Sequence, residues 1–204
     1  MLEHIPAWMG RLLADMRAGH EKLAIVKAGV GADIPMIDLT SPAFAPGARL
    51  PVRFTADGEG VSPPLVWGPL PDGARSLALI VEDPDAPMPN PLVHALMWNI
   101  PVDTGRIGEG DITEDEAMSG CVGRNSYGAR GWLPPDPPTG HGTHDYVFQL
   151  FALGAAKELG DAPGRSEFLN AMAGEIVGVG VLIGTYARDE VEPVASGAPA
   201  LPAT

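Results

Sequence analysis

Carboxylate and imidazole side chains gather at two separated places in this chain. The first is Glu82-Asp83-Pro84-Asp85-Ala86-Pro87, followed by His94; the second is Pro137-Pro138-Thr139-Gly140, followed by His144-Asp145-Tyr146. An acid hydrogen-bonded to an imidazole can hold one tautomer and aim a donor at an anion, or let the ring take a proton from water. Each proline locks its own φ and pushes the residue before it out of the helical region, so Asp83 and Ala86 are expected to be extended and Asp85 to sit in a tight corner. Such stiffness suits a small polar pocket. Alone, the first segment reads more simply as a loop that uses Asp and Pro as turn formers; the histidine-bearing second segment shifts that balance. His144 and Tyr146 stand two apart at a strand start, so both are expected on one face, and the Tyr146 hydroxyl can orient an anion or a ring. Asp83 and His94 are expected to face each other across the hairpin loop within hydrogen-bonding reach.

Other catalytic and metal-binding patterns are missing. The stretch Trp132 to Tyr146 is too rich in Pro and Gly to be helical, so His141 and His144 are not a helical metal pair, and no HExxH or CxxC accompanies them. There is no GxSxG elbow, no Gly-Lys-Ser/Thr phosphate loop and no GxGxxG. Asp111 to Glu116 lacks the alternation and glycine turn of a calcium loop and reads as a solvated acidic stretch. No catalytic residue, metal or cofactor is therefore assigned.

The elements that must position these residues are mostly strands. From Ile37 onward, short apolar runs alternate with turn residues; 26 glycines and 22 prolines in 204 residues leave little room for long helices. Candidate strands are Leu50 to Phe54, Ser76 to Glu82, Leu92 to Ile100, Asp145 to Leu153 and Glu175 to Tyr186. Several are almost continuously apolar, as buried central strands of a two-layer β structure are. Gly178, Gly180 and Gly184 in the last run suggest bulges or close approach of a neighbouring backbone. A short helix is expected from Glu167 to Ala173, with Ser166 as N-cap and Gly174 as terminator.

Before this region, Ile5, Trp8, Met9, Leu12, Leu13 and Met16 recur at helical spacing, predicting an amphipathic helix to about Ala28, where Gly29 and Gly31 end it. Its apolar stripe needs cover from the body of the protein, a second subunit or, least favoured, a membrane. The expected organisation is a helical extension over 1–36, a β domain over 37–190 and a flexible Pro/Ala-rich tail over 191–204.

A net charge of −13, with Lys22, Lys27 and Lys157 as the only lysines, argues against a broad surface for nucleic acid or anionic lipid. Cys121 has no partner for an internal disulfide and reads as a structural thiol. No apolar run approaches the roughly 20 residues that cross a bilayer, and the N-terminus lacks a basic leader, so a soluble, cytoplasmic protein without stable membrane insertion is expected.

The two motifs together resemble the phosphatidylethanolamine-binding protein family, in particular its bacterial Raf kinase inhibitor-like branch. Asp83-Pro84-Asp85-Ala86-Pro87 with His94 and Asn99-Ile100-Pro101 is similar to the first family signature. Pro137-Pro138-x-Gly140 through His144-x-Tyr146-x-Phe148-x-Leu150 is similar to the second. Flanking Ser62-Pro63-Pro64-Leu65-x-Trp67 and Gly123-x-Asn125-x-Tyr127-Gly128 agree, so the resemblance runs from about Ile37 to Arg188. It implies a β-sandwich of a large and a small antiparallel-rich sheet with peripheral helices, here with an added N-terminal amphipathic helix. It further implies an anion pocket mapped onto Asp83, Asp85, His94, Pro137, His144 and Tyr146. The implied function is binding of a phosphorylated or carboxylated small molecule or headgroup, with His94 and His144 as donors and Asp83 fixing their tautomers. An inhibitor-like scaffold with a protein partner and a weak hydrolase using a His94/Asp83 pair are the alternatives. The chain departs from the family pattern at Ala95, Asp136 and Asp145. The last two place acids near the mapped pocket, which predicts weaker anion binding unless an imidazole is protonated. The extension is expected to pack near the pocket or to form a homodimer interface.

Overall fold

The computed structural model describes residues 15–31, 33–114 and 120–188. Among the described residues, eight strands form two antiparallel sheets. The small sheet has the order β1-β2-β5, from Leu39–Thr40, Leu65–Trp67 and Arg106–Ile107. The large sheet has the order β6-β4-β3-β7-β8, from Cys121–Val122, Leu92–Ile100, Ser76–Asp83, His144–Leu153 and Ile176–Tyr186.

The long strands are apolar for the reason anticipated: both sheet faces are covered. On one face Leu77, Leu79 and Val81 of β3 join Met97, Phe148, Leu150 and Leu182 against Leu39, Leu65 and Trp67 of the small sheet. On the other, Ala78 and Ile80 join Leu96, Phe151 and Val179 beneath Phe168 and Met172. These last two lie on helix Arg165–Met172. Every residue of β3 is buried, so neither face tolerates a polar side chain without a partner. Glu82 has such partners: its carboxylate accepts from Arg165, from the Gln149 amide at 2.8 Å and from the Ala24 backbone N–H at 2.7 Å.

The β8 glycines mark close approach. A Cβ on Gly178 would lie 2.6 Å from Pro71 Cγ, and one on Gly180 2.9 Å from the Ile37 carbonyl. The segments that close the sandwich press directly on the edge strand.

Three expectations are corrected. Leu50 to Phe54 is not a strand: Val52–Phe54 is a 3-10 turn. Pro51 has no N–H to offer a ladder, so pairing stops at the Leu50 N–H, which donates to Thr185. The helix near residue 167 starts at Arg165, and its N-cap is Gly164, not Ser166; the Glu167 carboxylate accepts the Gly164 N–H at 2.8 Å. The N-terminal helix does not continue to Ala28. Residues 5–14 of that stripe lie outside the described residues, and from Asp15 the chain is irregular. A 3-10 turn, His20–Lys22, precedes one short helix, Ala24–Lys27. Gly19, at φ 103, breaks the helical path. The tail 191–204 also lies outside the described residues.

Candidate ligand-binding site

The ends of three neighbouring strands meet at one edge of the large sheet. β3 delivers Asp83, β7 begins at His144, and β4 carries His94 on its third residue. Pairing steps from Val81↔Ala95 to Glu82↔Val93, leaving His94 as an extra residue on β4. Such a bulge turns a side chain away from the regular alternation.

The loop after β3 is organised by Asp83 itself. Its Oδ1 accepts the backbone N–H groups of Asp85 and Ala86 at 2.8 and 2.9 Å, so Asp-Pro-Asp builds a turn around the carboxylate. Its Oδ2 accepts from His144 Nδ1 at 2.7 Å. The second loop folds back at Pro138, whose carbonyl accepts the His141 N–H at 3.0 Å, with Gly140 at φ 82 in the corner. That brings His141 Nδ1 to 2.6 Å from His144 Nε2. With His144 Nδ1–H committed to a carboxylate, neutral His144 accepts from His141, and Asp83, His144 and His141 form one buried chain.

His94 is held differently. Its carbonyl accepts the Leu133 N–H at 2.7 Å and its Nδ1 lies 2.7 Å from the Leu133 carbonyl. A carbonyl can only accept, so the hydrogen sits on Nδ1 and neutral His94 presents a bare Nε2. That nitrogen is buried without a hydrogen-bond partner. Burial is the largest influence on the ring and lowers its pKa, against opposing contributions from the Asp83 charge and the Leu133 hydrogen bond.

These groups border a cavity of about 210 Å³ whose walls include Asp83, His94, Tyr127, Asp136, Pro137 and His144. Four of the six sequence-selected residues, Asp83, His94, Pro137 and His144, thus line one space. Tyr146 and Asp85 do not. Tyr146 stands behind, its ring edge-on to His94 at 5.1 Å and its hydroxyl buried without a partner. Asp85 is buried away from the cavity: its carboxylate accepts the Asp145 N–H at 2.7 Å and pairs with Arg17. The expected Asp83–His94 hydrogen bond is also corrected. Asp83 is bonded to His144, and Leu133 fixes the His94 tautomer.

The two added acids are each matched by a partner. Asp136 does reach the cavity wall, with Arg188 Nη2 2.6 Å away. Arg188 also binds Asp57 and donates to the Pro137 carbonyl at 3.0 Å. Asp145 alternates away from the cavity, and its carboxylate lies 3.1 Å from His20 Nε2. His20, Asp85 and Asp145 bring potential metal-ligand atoms within 4.8 Å of one another, but the Arg17 guanidinium already occupies Asp85.

Sequence reasoning missed His141, Leu133, Arg188 and Arg17 as parts of this arrangement. A lone Arg fourteen residues ahead of Gly31 carries no signal of its destination. His141 was visible, but only as a failed metal ligand. The segment containing Arg17 lies along the first loop: Ala18 and Gly19 N–H groups donate to the Ala86 and Pro84 carbonyls at 3.0 and 2.9 Å, and Lys22 to the Pro89 carbonyl. The described part of the extension therefore packs at the pocket end.

A model of the family described as phosphatidylethanolamine-binding protein matches residues 40–187. The chain belongs to the phosphatidylethanolamine-binding protein family. A UPF0098 protein of Methanothermobacter thermautotrophicus is 39% identical over 153 residues, covering 74% of this chain and 99% of the relative. Among solved structures, the family homologue CT736 of Chlamydia trachomatis is 33% identical with a TM-score of 0.69, covering 76% of this chain and 99% of that one. Escherichia coli YbcL, described as a member of the mammalian family, is 26% identical with a TM-score of 0.69, covering 74% and 98%. The residues matched by the phosphatidylethanolamine-binding protein model carry both motifs and the strands from β2 to β8. Among the described residues no helix is long and apolar enough to cross a membrane.

Proposed function

We propose that this member of the family is a binding protein whose preformed pocket receives a small phosphorylated or carboxylated group. The observation that carries the reading is His94 Nε2, a buried nitrogen without a partner on the wall of a cavity of about 210 Å³. An unpaired buried polar atom costs free energy of about 1–3 kcal/mol unless something fills its hydrogen bond, so its natural complement is a ligand. The volume falls below the roughly 300–1,000 Å³ of pockets for drug-sized molecules and suits a compact acid or headgroup. Catalysis is not required, and the His94/Asp83 pair that a hydrolase would use is not hydrogen-bonded.

Titration with phosphate, acetate and phosphoethanolamine between about pH 5 and 8, followed by the imidazole NMR signals, tests this directly. Saturable shifts at His94 are expected with at least one of the three; unresponsive His94 and His144 signals with all three ligands would refute the binding reading.

A protein partner at the pocket rim is the second reading. Tyr127, 46% exposed, lines the cavity, and Met88, 48% exposed, follows the lining residue Pro87; both favour it. We also propose a homodimer through the stripe from Ile5 to Met16, for which Met16, 55% exposed, is the described support. Sedimentation of a chain lacking residues 1 to 14 checks this; an unchanged number of subunits excludes it.

A further inference from the structure

The polar side chains on the cavity wall are Asp83, His94, Tyr127, Asp136 and His144, and among the described residues none lining it is Lys or Arg. Their hydrogen-bonding capacity is lopsided. Both His144 nitrogens are engaged, by Asp83 and by His141. His94 Nδ1–H is held by the Leu133 carbonyl, leaving an acceptor at Nε2. Asp83 and Asp136 are carboxylates, and ionised carboxylates only accept. Arg188, paired with the lining Asp136, has its hydrogens directed at Asp57, Asp136 and Pro137. The other nearby cation, Arg17, is spent on Asp85. Tyr127 carries the one lining hydroxyl, kept protonated by burial first and by the Asp136 charge second.

A fully deprotonated oxyanion meets mostly lone pairs here. A hydrogen-bearing oxyanion does not: its O–H can donate to His94 Nε2 or to a carboxylate while its charged oxygens take the Tyr127 hydroxyl. Resting on the binding reading above, we infer that the pocket admits a phosphate monoester in its singly protonated form and rejects oxyanions that carry no hydrogen. The proton arrives with the ligand and stays in the hydrogen bond between phosphate oxygen and His94 Nε2, so no other donor is needed. Discrimination arises because a buried acceptor facing another acceptor leaves both unpaired.

Calorimetry with methyl phosphate, sulfate and methylammonium at pH 6, on the full chain, tests this. Methyl phosphate is expected to bind at least about tenfold more tightly than sulfate. Its affinity is expected to fall as pH rises past the second ionisation of a phosphate monoester, near about 6. Repeating the titration in buffers of different ionisation enthalpy is expected to give uptake of about one proton per phosphate above that point. Sulfate binding as tightly as phosphate, or affinity rising with pH, overturns this inference and leaves the anion reading standing. Methylammonium binding without any anion binding, or no binding by any of the three, overturns both. In Asp136→Asn, whose amide can donate to sulfate, the preference is expected to shrink at least threefold. His94→Asn, whose amide N–H serves the Leu133 carbonyl and which removes the bare Nε2 acceptor, is expected to shrink it likewise. A preference unchanged in both variants refutes the assignment.

Discussion

His94 and His144 sit at the same end of the same sheet, and each is 1% exposed, yet their nitrogens have opposite fates. His144 is satisfied on both sides, by Asp83 at 2.7 Å and His141 at 2.6 Å. His94 has one nitrogen clamped by Leu133 and the other facing a cavity with nothing to bond. One ring is a structural pin between two loops; the other is kept available. Burial alone does not distinguish these roles, and neither does residue type. What distinguishes them is whether the hydrogen-bond capacity of the side chain is used up inside the protein.

The comparison breaks most visibly through stability. His144→Ala strips Asp83 of a partner inside the fold, and a buried carboxylate without its donor is expected to cost about 3 kcal/mol. Urea unfolding should register this as a lower midpoint at an unchanged slope. If His144→Ala is as stable as the parent, His144 is not the pin described here. His94→Asn keeps an amide N–H for the Leu133 carbonyl and removes the bare acceptor. Its expected stability loss is smaller, about 1 kcal/mol from reduced packing against Trp132 and Tyr146. Phosphate affinity should nevertheless fall about tenfold by calorimetry, worth about 1.4 kcal/mol.

The pH dependence sharpens the same contrast. Burial lowers the His94 pKa from its ordinary value of 6.5, so the unfolded chain takes up this proton before the folded one does. The stability that neutral His94 contributes is complete above about pH 6.5 and is lost as pH falls from there toward the lowered folded value. Unfolding midpoints measured from pH 7 to 5 should decline in the parent and decline less in His94→Asn. The mildest effect is expected from the N-terminal segment. Arg17→Ala removes a pairing whose guanidinium side is 37% exposed. Solvent screening limits the loss to about 1 kcal/mol or less, equivalent to about 2–4 °C in Tm.

Much of this was legible before any fold was seen. The apolar runs Ser76 to Glu82, Leu92 to Ile100, Asp145 to Leu153 and Glu175 to Tyr186 became the four long strands within a residue at each end. Buried strands need dry side chains on both faces, and that requirement is written locally. Leu50 to Phe54 alternates like a strand, but Pro51 has no N–H for a ladder and ends the pairing. At the site, residue types were readable and pairings were not. Asp83 is nearer in sequence to His94 than to His144, and the sequence view joined the wrong two.

Local chemistry therefore determined which segments are strands, that Asp83 would end one at a proline-stiffened corner, and that imidazoles would gather beside it. The third dimension decided who bonds whom. The His94 bulge, the return of Leu133 onto it and the arrival of Arg188 beside Asp136 join residues separated by as many as 52 positions. Contacts at such separations depend on strand order and register, which no short stretch of sequence encodes. Whether a buried nitrogen is pinned or left open for a ligand depends on those contacts.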